Sequence, residues 1–80
     1  MENSKVKRYE YDLKKSGEAM KRARINAEFT VKEVRDYLEL GSVQSIYKWE
    51  SAKGFPQADR LMQLADLYGV SVEELIIKKE

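Results

Sequence analysis

The 80-residue chain has room for one small domain with a single core, and its 42% hydrophobic and 36% charged residues suit a soluble globular fold. It holds no cysteine and no histidine, which excludes thiol chemistry, Cys/His zinc sites, histidine acid-base catalysis and Ser-His-Asp triads, so neither an enzyme nor a metal or cofactor site is expected. The formal net charge is only +1, with a balance of +4 over residues 1–24 and −3 over residues 25–80, so any polyanion must be recognised by a few placed contacts and not by bulk charge.

No apolar run is long enough for a membrane span or a signal peptide, and a cytoplasmic location is the default expectation. In residues 1–15, MENSKVKRYEYDLKK, Tyr9, Tyr11 and Leu13 alternate with charged Glu10 and Asp12. So short an alternation is a weak strand signal. The segment reads as an N-terminal arm with three outcomes open: a disordered leader, an arm packed through its tyrosines, or a basic arm lying along DNA.

The compact domain is expected over residues 16–80. Ser16 can cap a first helix running from Gly17 to about Asn26, with Met20 and Ala23 facing inward and Lys21, Arg22 and Arg24 elsewhere. The turn after it needs a left-handed residue, for which Asn26 is better suited than Glu28.

Thr30 then opens a second helix with Glu33 three positions on, the spacing of a capping box, and Phe29 and Val34 can staple its entry. Val34 and Leu38 share one face, and the helix should stop near Leu38 to Leu40. Gly41 supplies the positive φ of a tight turn, and Ser42 caps a third helix of roughly eight residues. In that helix Ile46 and Trp49 share the inner face, Val43 and Glu50 flank it, and Gln44, Tyr47, Lys48 and Ser51 lie opposite.

The outward face is polar but nearly uncharged. Gln fits the N6 and N7 edge of adenine and Lys can donate to guanine O6 and N7, so the face is chemically able to read bases, although a merely solvated face has the same composition. Lys53-Gly54 then turns the chain and Pro56 approaches a fourth helix, where Ala58, Leu61, Leu64, Ala65 and Tyr68 form a core-facing stripe that Gly69 ends. Ser71 and Glu74 repeat the capping-box spacing, Val70 and Leu75 can staple it, and a fifth helix is predicted with Val72, Leu75 and Ile76 facing inward.

The ordered set Thr30, Val34, Leu38, Gly41, Ile46, Trp49-Glu50 and Pro56, continued by LMQLADLYGVSVEELI, resembles the Cro and phage-repressor type of helix-turn-helix, the XRE family, over roughly residues 17–77. The resemblance implies an all-α five-helix domain of the lambda-repressor-like fold. It also implies a sequence-specific double-stranded DNA-binding protein, a transcriptional regulator that reads the major groove with the helix at about residues 43–51.

Carried over by position, Val43, Gln44 and Lys48 approach base edges, with Val43 suited to a thymine methyl; Ser45, Tyr47 and Ser51 are additional candidates. Thr30, Lys32, Lys53 and the backbone near Phe55 hold phosphates, and Arg24 and Glu50 form an ion pair joining the first helix to the third.

An inverted repeat bound by a weak homodimer is expected, with Ile77 a candidate pairing contact. Two departures stand out. Val31 replaces a polar, phosphate-reaching residue, and the spacing from Leu38 to Trp49 is one residue longer than the common pattern. With the low net charge and the acidic balance after residue 24, Val31 favours the alternative, a protein-protein interaction module of adaptor or antitoxin-like type.

Overall fold

A computed structural model describes residues 10–80, so most of the N-terminal arm lies outside the described residues. Four α-helices follow in order, α1 Leu13–Asn26, α2 Val31–Leu38, α3 Gln44–Glu50 and α4 Ala58–Tyr68, and a single 3-10 turn, Val72–Glu74, stands where a fifth helix was expected. That turn keeps the capping box: Ser71 Oγ accepts from Glu74 N at 3.3 Å while Ser71 N donates to Glu74 Oε2 at 2.8 Å. Leu75 is fully buried just after it, so the inward positions are kept although the backbone does not continue as a helix. The final residues instead turn back along α1.

This return moves the start of α1. Asp12, not Ser16, is its N-cap, its side chain accepting from Lys15 N at 2.9 Å. Tyr11 and Lys78 form an isolated antiparallel bridge, with Asp12 N donating to Ile77 O at 2.6 Å and Lys79 N to Glu10 O at 2.8 Å. Ser16 is completely buried, and its hydroxyl accepts from Ile77 N at 2.8 Å. Residues 10–15 are therefore tied into the fold by the opposite end of the chain.

The core comprises Met20, Val34, Leu38, Ile46, Leu61, Leu64, Ala65, Tyr68 and Leu75. Trp49 is only half-buried, packed on the edge of that cluster, and Ala58 is exposed instead of joining the α4 stripe. Val31 also packs against the core, which gives the missing polar side chain at this position a structural use.

All four helices end the same way. After α1, α2, α3 and α4 a left-handed residue lets the next amide reach back to the sixth carbonyl counted from it: Phe29 to Arg24, Leu40 to Arg35, Lys53 to Lys48 and Val70 to Ala65. The left-handed residues are Glu28, Glu39, Ala52 and Gly69, so only one is glycine. Gly41 has no positive φ, and Glu28, not Asn26, takes the left-handed place after α1. Each such non-glycine residue costs about 1 kcal/mol, offset after α1 and α2 by the hydrophobic residue that follows, Phe29 or Leu40, packing on the core.

Candidate nucleic-acid interface

The position of α3 is set by its contacts with α1. A Cβ placed on Gly17 would lie 2.7 Å from Trp49 O and 2.9 Å from Glu50 O, so α1 meets the end of α3 backbone to backbone and only glycine fits. Two turns along the same stripe of α1, Arg24 Nε donates to Glu50 Oε2 at 2.7 Å and Nη2 donates to Oε1 at 3.1 Å, a two-pronged pair. Arg24 Nη1 also donates to Phe29 O at 3.0 Å, which ties the entry of α2 to the same pair.

The two side chains are only 12% and 7% exposed. The hydrogen bond to Glu50 holds the Arg24 guanidinium above its ordinary pKa against the opposing effect of burial. Burial also pushes the nearby Tyr68 hydroxyl well above its ordinary value. A pair so enclosed adds little net stability but fixes geometry, because removing one partner strands the other charge.

The entry of α2 is held by its own capping box, with Glu33 N donating to Thr30 Oγ at 3.1 Å and Thr30 N to Glu33 Oε1 at 2.8 Å. Its exit is held by Arg60 of α4, whose Nη1 donates to Leu38 O at 2.6 Å. Between α2 and α3, Ser42 does not stand at the cap; Val43 does, without a side-chain bond, although Ser42 Oγ accepts from Gln44 N at 3.2 Å.

On α3, Ile46 is buried and Gln44, Tyr47, Lys48 and Ser51 are exposed on the other side. Two hollows flank this ridge. One of about 750 Å³ is lined by Lys21 of α1, Thr30 and Lys32 at the start of α2, Tyr47 of α3, and Val43 and Ser51 at the two ends of α3. The other, of about 260 Å³, is lined by Gln44, Tyr47, Lys48, Ser51 and Lys53. Tyr47 stands 54% exposed between them.

The structure thus gathers Thr30, Lys32, Val43, Gln44, Tyr47, Lys48, Ser51 and Lys53 on one side of the molecule. Ser45 is half-buried and lines neither hollow, and Phe55 is half-buried with its ring centroid 4.7 Å from that of Tyr11. The Ser51 hydroxyl donates to Tyr47 O at 2.7 Å, which leaves it free mainly as an acceptor. Lys21 is absent from the sequence-based set yet lines the larger hollow. Its place on the α1 stripe of Gly17 and Arg24 can be read from spacings of four and three residues, whereas the contact that turns this stripe towards α3 cannot.

A family model described as helix-turn-helix matches residues 20–75. Two solved structures are similar over 80% of the chain, each with a TM-score of 0.67 and 25% identity: the crystal structure of the DNA-binding domain of BldD, covered over 92% of its length, and the structure of the S. venezulae BldD DNA-binding domain, covered over 94%. No curated protein matches. The matched span begins at Met20 in α1 and ends at Leu75 beyond α4, enclosing the paired helices α2 and α3, and the chain belongs to the Cro/C1-type helix-turn-helix family, the XRE family.

Proposed function

We propose that this protein is a sequence-specific double-stranded DNA-binding transcriptional regulator that inserts α3 into the major groove. Val43, Gln44 and Lys48 meet base edges, Tyr47 and Ser51 line the margins with Ser45 behind them, and Thr30, Lys32, Lys53 and the backbone at Phe55 hold phosphates. Two copies bind an inverted repeat as a weak dimer that forms chiefly on DNA. One observation carries the reading: α3 presents Gln44 and Lys48 outward, and among the described residues no protein partner uses the hydrogen-bonding groups of either side chain. Similarity to two domains described as DNA-binding supports it.

The test compares two variants on a duplex selected from a random pool and on unselected duplex, each at two salt concentrations. Gln44→Ala is expected to cost about 1–3 kcal/mol on the selected duplex and little on the other, because it removes a base contact. Lys53→Ala is expected to weaken both duplexes equally and to lower the salt slope by about one unit per subunit, as the loss of a phosphate contact does. Equal losses on both duplexes for Gln44→Ala would show that α3 is not reading bases. The rival interaction-module reading draws on the −3 balance of residues 25–80 and predicts no salt-dependent DNA binding by the wild type.

A further inference from the structure

We propose that Lys21 grips the DNA backbone from α1, so that a phosphate is held at the larger hollow that Lys21 and Lys32 both line. The inference rests on the DNA-binding reading above and adds a third helix to the binding surface, beyond α2 and α3.

Three observations lead to it. Gly17, Lys21 and Arg24 stand four and three residues apart, within about 60° on one stripe of α1. Gly17 brings that stripe against the carbonyls of Trp49 and Glu50, and Arg24 bonds the Glu50 carboxylate. Lys21, between them, is exposed and lines the hollow beside α3, as well as a smaller one on α1 with Glu18, Arg22 and Ile25.

The charges of the hollow point to an anion. Its lining holds Lys21, Arg24 and Lys32 against Glu50, a local excess of positive charge in a chain that is nearly neutral. Arg24 is spent on Glu50 inside the fold, whereas among the described residues neither Lys21 nor Lys32 is held in an ion pair. Two ammonium groups outside any ion pair, one from α1 and one from α2, line the same hollow and suit the spread charge of a phosphodiester.

The experiment uses the full chain and mixed-sequence duplex DNA, titrated by fluorescence anisotropy between about 50 and 200 mM salt. Lys21→Ala should leave the melting temperature unchanged, since the side chain is exposed, and should lower the slope of log K against log salt by roughly one unit per subunit. The wild-type advantage then shrinks about three- to fourfold per subunit across that range. Lys21→Arg should restore the slope. Lys15→Ala is the control, because this exposed lysine carries the same charge but lies about 120° around α1 from Lys21 and nearly two turns towards its start.

A wild-type slope in Lys21→Ala, with the wild type binding DNA, overturns this inference and leaves the DNA-binding reading standing. An equal drop in Lys15→Ala also overturns it, since net charge and not place would then be responsible. No salt-dependent binding by the wild type removes both.

Discussion

Gly17→Ala sets two effects of opposite sign against each other. Gly17 lies inside α1, and in a helix interior replacing glycine with alanine stabilises by about 0.5–1 kcal/mol through reduced backbone entropy in the unfolded chain. The added Cβ, however, would stand 2.7 Å from Trp49 O, 2.9 Å from Glu50 O and 3.2 Å from the Glu50 carbonyl carbon. Nonbonded heavy atoms rest near about 3.5 Å, and all three obstacles are backbone atoms that cannot rotate away. α1 and α3 must therefore part by roughly 0.5–1 Å in a close-packed interior, and overpacking of this kind costs about 1–3 kcal/mol.

Against a gain of about 0.5–1 kcal/mol, a clash in the middle of the overpacking range leaves a net loss of about 1 kcal/mol, and at most about 2.5 kcal/mol, which for a domain of this size lowers the melting temperature by about 4–8 °C and at most about 20 °C. Parting the helices also draws Glu50 from Arg24 and tilts α3, so DNA affinity should fall even at temperatures where the variant is fully folded. Thermal melts by circular dichroism and DNA titrations at 10 °C measure the two effects separately. A melting temperature equal to or above that of the wild type would refute the reasoning, because helix propensity would then have prevailed over the contact.

Arg24→Ala strands a carboxylate only 7% exposed and should cost about 3–5 kcal/mol, whereas Arg24→Ala combined with Glu50→Gln should recover a large part of the loss; urea titrations that find the single and double variants equally unstable would argue against an enclosed pair. Tyr68 gives a pH dependence. Burial raises its hydroxyl above the ordinary value of 10.0, so the folded chain keeps this proton after the unfolded chain has lost it, and stability should be fully present below pH 10 and decline as pH rises beyond it. Tyr68→Phe should weaken that decline, as melts at pH 9, 10 and 11 would show.

The parts of this fold that can be read along the chain are those built from contacts three or four residues apart. The Thr30 and Ser71 capping boxes each close within four residues, the stripe Leu61, Leu64, Ala65 and Tyr68 follows from helical period alone, and Gly69 ends α4 in a left-handed conformation because glycine adopts it at little cost. The family motif is legible as residue types in a fixed order, Thr30 to Pro56 continued by LMQLADLYGVSVEELI, which needs no knowledge of the packing.

The features that escaped depend on partners distant in sequence. α1 begins at Leu13 because Ile77 and Lys79, more than sixty residues away, hold Asp12, Ser16 and Glu10, and no local signal at Ser16 could compete with a cap and bridge made from the other end of the chain. Packing likewise overrides local preference where Glu28 and Glu39 take left-handed backbones that let Phe29 and Leu40 reach the core, while Gly41, the obvious candidate, needs no special conformation. The hollow with Lys21 on its rim exists only because Gly17 lets α1 touch the backbone of α3, and a contact between residues 17 and 50 leaves no trace in the spacing of either helix.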